Sequence, residues 1–224
     1  MVISFSGIDS AGKSTQIDLL KKDITRDGDK CCIKWSKARA TPGVVFIKSI
    51  FRRDKHLDYD ARMKYREEVF QNKNKKKLLL SASLADLCLY WGIYFRILKY
   101  KNRFLILDRY LWDTYVEIKT DFYGIDFEKW FLWKFLLKVA LKPDVSLILV
   151  VPLDVSLKRD IQKTDLTVEN PATIDSKERK TNKINTYFNL IDQNKWNYVI
   201  DGTMPIDDVH RQIVSIVMEN HFSA

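Results

Sequence analysis

The chain has 224 residues, 46% of them hydrophobic, which excludes an intrinsically disordered polypeptide and is enough for one sizeable core. Lys and Arg outnumber Asp and Glu by 38 to 29, and the net charge of +9 suits polyanionic ligands such as nucleotide phosphates; no helix-turn-helix, zinc-finger or RNA-recognition signature accompanies it, so no nucleic acid polymer is expected as a partner. Cys31, Cys32 and Cys88 offer neither a disulfide framework nor zinc spacing, and the N-terminus does not read as a signal peptide, so the protein is expected in the reducing cytoplasm, without a membrane anchor.

Val2–Phe5 is a short β-branched and aromatic run, read as the first strand. It leads into Gly7-Ile8-Asp9-Ser10-Ala11-Gly12-Lys13-Ser14, which fits G-x-x-x-x-G-K-[ST] in full. A helix predicted over Lys13–Lys22, with apolar Ile17, Leu19 and Leu20, follows. Each position has a physical reason. Gly7 and Gly12 let the loop curl so that successive N–H groups face phosphate oxygens. The helix start adds the positive end of its dipole. Lys13 is expected on the β- and γ-phosphates and the Ser14 hydroxyl on magnesium, which makes ATP with Mg²⁺ the expected ligand. A chance match in a chain of this length is on the order of one in a hundred or less, so this signal is specific.

Cys31–Trp35 reads as a buried second strand, and helices are predicted over Val44–Arg52 and Tyr59–Glu68. The run Lys73–Lys77 reads as a solvated helix start. A helix over Lys76–Lys99 overlaps the most apolar stretch, Leu78–Tyr100; with Asp86 and Arg96 inside that stretch, a buried helix fits better than a membrane span. Phe104–Leu107 is the third strand and ends on Asp108-Arg109-Tyr110. A carboxylate at the C-terminal end of a central parallel strand sits where open α/β sheets bind ligands, so Asp108 is expected at the magnesium shell and Arg109 at the transferring phosphoryl group. Phe127–Leu141 is read as one helix whose Phe127, Trp130, Phe131, Trp133 and Phe135 pack in the core and at a subunit interface. Strand Val145–Val151, helix Ser156–Gln162, a loop over Thr164–Asp175, helix Ser176–Ile191, strand Tyr198–Ile200 and helix Asp207–Glu219 complete the chain. Strands alternating with helices imply a parallel sheet covered on both faces, in a single α/β domain over 1–224.

The residues resemble the thymidylate kinase family over about 1–219. The resemblance is carried by Phe5-Ser6-Gly7-Ile8-Asp9, Gly12-Lys13-Ser14-Thr15, Asp108-Arg109-Tyr110, Pro143-Asp144, Arg159, Tyr187 and Ile200-Asp201-Gly202. It implies the three-layer P-loop kinase fold: a five-stranded parallel sheet in the order 2-3-1-4-5, a small lid at about 160–183, and a homodimer. It also implies roles. Gly7, Ile8, Asp9, Ser10, Ala11, Gly12, Lys13, Ser14 and Thr15 would surround the ATP phosphates. Arg159, Asp201, Gly202 and Thr203 would hold the adenine. Asp9 would meet an acceptor sugar hydroxyl, Arg39 the acceptor phosphate, and Arg109, Tyr110 and Glu117 would line the acceptor site.

The chain departs from the family where the acceptor binds. Leu84, after Leu80-Ser81-Ala82-Ser83, stands where the family carries an arginine. Either it lines an altered acceptor wall or it is turned into the core. Asp113, Thr114 and Glu117 follow the Asp-Arg-Tyr triplet where serines are usual, and Ser10 stands where one branch of the family has a P-loop arginine. In 164–183 only Arg179 is an arginine, with Lys177, Lys180 and Lys183 supplying the remaining charge. The expected activity is phosphoryl transfer from ATP to a nucleoside monophosphate, thymidylate first. A different small acceptor such as a nucleoside, or an inactive nucleotide-binding relative, are the alternatives.

Overall fold

The computed structural model describes residues 1–26, 28–35, 72–163 and 177–222. The helices expected over Val44–Arg52 and Tyr59–Glu68, the loop over Thr164–Asp175, and Arg39 lie outside the described residues.

Five parallel strands form one sheet in the order β2-β3-β1-β4-β5, as the resemblance implied. They are β1 (Val2–Ser6), β2 (Cys31–Trp35), β3 (Phe104–Asp108), β4 (Val145–Val150) and β5 (Tyr198–Asp201). β1 lies at the centre, with Phe5 opposite Asp108 on β3 and Leu147 on β4. The sequence alternates to serve both faces. On one side Ile3, Phe5, Ile106, Leu147 and Leu149 meet Ile17, Leu20 and Ile24 of α1 (Lys13–Arg26) and Val209, Ile213 and Val217 of the last helix, α8 (Ile206–Phe222). On the other, Ile148 meets Val116 of α4 (Leu111–Asp121) and Tyr187 and Leu190 of α7 (Lys177–Asp192). Each fully buried aliphatic side chain contributes roughly 1.5–3 kcal/mol, against about 0–1 kcal/mol for an exposed ion pair. Apolar layering therefore fixes the strand ends from which the site is built.

Residues Met1–Ser36, Leu98–Thr120 and Lys142–Ala224 form one compact unit, which contains the whole sheet. Lys37–Ile97 and Asp121–Leu141 form a second. In the second unit α2 (Lys73–Leu89) packs against α5 (Phe131–Val139). Leu80, Leu84, Leu87, Trp91 and Phe95, three or four residues apart, have no exposed surface. Lys73–Lys101 is long and apolar enough to cross a membrane by length and composition, but a one-sided stripe of buried residues is the pattern of a helix facing a protein core. Arg96 donates to the Val139 carbonyl at the end of α5, 2.7 Å away.

Three local expectations are corrected, and one helix had no expectation. The helix expected as continuous over Lys76–Lys99 passes through a π-helical turn at Tyr90–Tyr94 before α3 (Phe95–Lys101). The helix expected over Phe127–Leu141 is split: a 3₁₀ turn, Phe127–Lys129, stops at Trp130, whose ψ of 142° is extended. β2 stands at the end of the strand order, so Cys31 and Cys32 are half-buried and Trp35 exposed, not the buried strand expected. Finally, α4 was not anticipated at all. Its Trp112, Thr114, Tyr115 and Val116 are aromatic or β-branched and favour strands in isolation, and packing of Val116 against Tyr187, Leu190 and Trp196 overrides that preference.

Candidate active site at the phosphate-binding loop

β1 ends at Ser6 and the loop turns immediately. Gly7 has φ 132°, and a Cβ there would sit 2.4 Å from the Leu149 carbonyl oxygen of β4, so only glycine lets the two backbones approach. Gly12, at φ 95°, precedes α1. Lys13 is the first residue of that helix and is 6% exposed. Its side chain folds back over the loop, and Nζ donates to the carbonyls of Gly7 at 2.8 Å and Ile8 at 2.5 Å. Burial, followed by the neighbouring Arg109 charge, lowers its pKa to about 7; Asp113, Asp9 and Asp108 act in the opposite direction.

The first residues of the loop are tied to Asp113, a carboxylate in the first turn of α4 and 1% exposed. Asp113 accepts from Ser6 Oγ at 2.5 Å, from the Gly7 N–H at 3.2 Å, from the Tyr110 N–H at 3.2 Å and from Tyr187 Oη at 2.7 Å. The Gly7 N–H thus points to a carboxylate of the protein. Tyr187, fully buried, has its pKa pushed well above the ordinary phenol value, by burial first and then by Asp113. It stays a neutral donor.

Arg109 belongs to the same group. Its φ of 64° is left-handed, an unfavourable region for a residue with a Cβ. Its N–H donates to Phe5 O at 2.9 Å, and its guanidinium, 9% exposed, pairs with Asp9, donates to Gly7 O at 3.3 Å and lies 3.7 Å from Asp113. Burial alone would lower its pKa; Tyr187, Asp9, Asp113 and Glu117 more than offset that and raise it. The arginine is a permanent cation beside the loop.

The tip of the loop has different supports, on α6 (Leu153–Lys163). Asp160 accepts from the Ser10 hydroxyl, and Arg159 Nη1 lies 3.5 Å from the Ser10 carbonyl. Ser156 Oγ donates to Asp9 O at 2.9 Å. Asp160 also forms an ion pair with Lys180 of α7.

The remaining expected site residues fall as follows. Ser14 and Thr15 are exposed at the start of α1. Asp108 ends β3 opposite Phe5, next to the loop, and its charge bears on Lys13. Tyr110 is buried and Glu117 half-buried, with the Glu117 charge acting on Arg109. Arg159 Nη2 donates to Gly202 O at 3.0 Å. Gly202 has no room for a side chain: a Cβ would lie 2.8 Å from Val151 Cγ1 and 2.9 Å from Ala11 O, so the end of β5 sits directly on the loop. Asp201 accepts from the Thr203 hydroxyl at 2.6 Å and the Thr203 N–H at 2.8 Å, which lowers its pKa. Leu84, in the second unit, is fully buried and presents no surface to an acceptor.

From the sequence Asp113 was noted only as a departure from the family's serines, with no role given, and Asp160 was not noted. The one local signal for Asp113 is its i+4 spacing from Arg109, and for Asp160 its place next to Arg159.

A sequence profile described as thymidylate kinase matches residues 5–213. The chain is 26% identical to a thymidylate kinase of Thermosipho melanesiensis over 217 residues, 97% of each chain. It is 26% identical to one of Sulfurihydrogenibium sp. over 213 residues, 95% of this chain and 94% of that one. The same identity holds over an alignment of 226 positions, covering the full length of both chains, for one of Thermosipho africanus. The match runs from β1 into the last helix, through the residues that build the sheet and its loop, and the chain belongs to the thymidylate kinase family.

Proposed function

We propose that this protein transfers the γ-phosphoryl group of ATP to thymidine monophosphate, giving ADP and thymidine diphosphate. The observation that carries the reading is the pairing of two nearly buried cations, Lys13 and Arg109, at the mouth of a complete phosphate-binding loop. In such a transfer an acceptor phosphate oxygen attacks the γ-phosphorus while the bond to the β-phosphate oxygen breaks. The acceptor phosphate is already ionised, so no strong base is needed, and the protein's work is positioning and electrostatic stabilisation. Lys13 would exchange the Gly7 and Ile8 carbonyls for β- and γ-phosphate oxygens. Arg109 would hold the transferring group, with Asp9 and Asp113 fixing its direction. Arg159 and the Asp201–Thr203 turn would flank the adenine. Arg39 is proposed on the acceptor phosphate from the resemblance alone, and 160–183 as the lid.

The residues present suit magnesium. Ser14 and Asp108 offer two hard oxygen donors at the loop, and among the described residues no cluster of three His, Cys, Asp or Glu forms an all-protein metal cage. That donor set fits an ion held mainly by phosphates and water. When bound, the ion neutralises charge on the phosphate oxygens.

The test is ADP release with ATP, Mg²⁺ and a panel of nucleosides and nucleoside monophosphates. Thymidine monophosphate is expected to give the highest kcat/KM. Turnover of a nucleoside without turnover of any monophosphate would overturn the acceptor assignment, and ATP binding without any transfer would overturn the enzyme reading.

A further inference from the structure

The turn that joins β5 to α8 is tied to the phosphate-binding loop and its helix at three points. Gly202 sits so close to Ala11 O that a Cβ would lie 2.9 Å from it. Arg159 donates to Gly202 O at 3.0 Å and reaches the Ser10 carbonyl at 3.5 Å. The third point is on α1. Gln16, in the first turn of that helix and 3% exposed, donates through Nε2 to the Ile206 carbonyl at 2.9 Å. The segment 201–206 is thus fixed near both ends, and Thr203, Met204 and Pro205 between them are exposed.

For stability the Gln16 amide is a poor choice. A carbonyl only accepts, so the amide nitrogen must face Ile206. That leaves Oε1, which is buried and has no hydrogen-bond partner among the described residues. A buried acceptor without a donor costs more than one ordinary hydrogen bond returns. The Ile206 carbonyl stands at the start of α8 and accepts the N–H four residues further along that helix, so it does not depend on Gln16. Nor is the amide needed to join α1 to α8. Ile17, Leu20 and Ile24 pack with Val209, Ile213 and Val217, and Asp23 meets His210 at 2.7 Å. An apolar side chain of similar length would serve the fold at least as well, so the amide answers to something other than folding.

We propose that Gln16 is a positioning residue for the nucleoside end of ATP, its amide fixing the turn 201–206 at a set distance from the phosphate-binding loop. This rests on the reading above that puts adenine between Arg159 and the Asp201–Thr203 turn. Gln16 does not touch the nucleotide and acts through Ile206. The loop grips the phosphates and the turn meets the base, so both ends of one ligand are satisfied together only when the spacing between them is right. A turn already fixed before the ligand arrives loses no further freedom on binding, and that difference appears as affinity.

The competing reading is an ordinary structural contact between α1 and α8. The two readings differ in sign. Removing a structural contact lowers stability and leaves the preference for a nucleoside alone, whereas removing a positioning contact does the reverse. Binding of an ATP analogue with a non-hydrolysable β–γ bridge, and of inorganic tripolyphosphate, is measured by calorimetry with Mg²⁺ for the wild type, Gln16→Met and Gln16→Leu, with a thermal melt of each. Both variants are expected to weaken the ATP analogue roughly fivefold, the size of one neutral hydrogen bond, with tripolyphosphate within about twofold. Their melting temperatures should equal or exceed that of the wild type, because the unpaired Oε1 is gone. Unchanged binding of the analogue, or tripolyphosphate weakened as much as the analogue, would overturn the proposal. So would failure of both variants to fold, or a fall in melting temperature of more than about 5 °C in both, since the amide would then serve the fold. Tripolyphosphate bound by the wild type as tightly as the analogue would count against the adenine placement itself, which separates the two failures.

Discussion

Asp113 and Asp160 both grip the phosphate-binding loop, one at its first residues and the other at its tip, and their surroundings differ. Asp113 is 1% exposed and gathers Ser6, Gly7, Tyr110 and Tyr187, two of them through backbone N–H groups. Removing it would leave four buried donors without that acceptor, and each unsatisfied buried group costs about 1–3 kcal/mol. The carboxylate of Asp160 is partly in water and joins two side chains that have rotamer freedom. With Lys180 nearly buried and Asp160 part-exposed, the pair lies between an exposed ion pair, worth about 0–1 kcal/mol, and a buried one, whose breaking costs about 3–5 kcal/mol. The first residues of the loop are thus set by buried hydrogen bonds to Asp113, whereas its tip is held by fewer and partly exposed contacts.

The largest expected effect is at the base. Lys13→Ala should lower kcat by roughly 10³-fold, as loss of a preorganised transition-state contact does. The melting temperature should stay close to that of the wild type, because the mutation removes a buried charge rather than a packed side chain. Steady-state assays and a thermal melt check this, and turnover near wild type in the folded variant would break the assignment of catalysis to the base. Next comes the contrast itself. Asp113→Ala should destabilise the protein by about 3–5 kcal/mol, the usual result of breaking a buried charge network, and Asp160→Ala by about 1–2 kcal/mol, because its carboxylate is part-exposed while Lys180 is not. Equal shifts in urea unfolding would abolish the distinction between base and tip.

A smaller effect is expected where β5 meets the loop. In Gly202→Ala the new methyl would face Ala11 O at 2.9 Å and Val150 O at 3.2 Å, both backbone atoms that cannot rotate away. Overpacking of this kind costs about 1–3 kcal/mol. Because the displaced backbone is that of the loop, the KM for ATP should rise as well. An unchanged KM in a destabilised Gly202→Ala protein would show that the loop does not feel β5.

How much of this was legible in the sequence follows from the distance over which each feature is specified. The strands were readable because each is a short β-branched or aromatic run between helical stretches, and the loop was readable because its motif is contiguous from Gly7 to Ser14. The sheet order came from the resemblance and agrees with the structure. α4 was missed because its own residues favour strand, and only its partners, Tyr187 and Trp196 among them, make the helix pay no penalty it cannot offset. Asp113 and Asp160 carry no local motif. Their donors lie 107 residues away at Ser6, 74 away at Tyr187 and 150 away at Ser10, and only the folded sheet brings them together. Leu84 shows the limit of reading by position: the aligned place left an acceptor wall and the core both open, and the buried stripe of α2 takes that side chain into the core.

The smallest expected effect is a proton linkage at the base of the loop. Free Lys13 titrates at about 7, because burial and the Arg109 charge disfavour its ammonium. Phosphate oxygens in place of the Gly7 and Ile8 carbonyls would favour the charged form and raise that value. Below about pH 7 the lysine is protonated both before and after binding, and it contributes no linkage. Above it, ATP binding must take up a proton, so affinity should fall with rising pH, by less than about tenfold per unit. The unliganded protein should show the opposite trend in stability. Between about pH 7 and the ordinary lysine value of 10.5 the unfolded chain holds the Lys13 proton and the folded chain does not, so this group adds stability as pH rises through that window. Calorimetry of ATP binding at pH 8 in two buffers of different ionisation enthalpy measures the proton count directly. Uptake approaching one proton is expected in the wild type, and its disappearance in Lys13→Arg, whose guanidinium stays charged throughout. Zero uptake in the wild type would mean that Lys13 keeps its proton in the free loop.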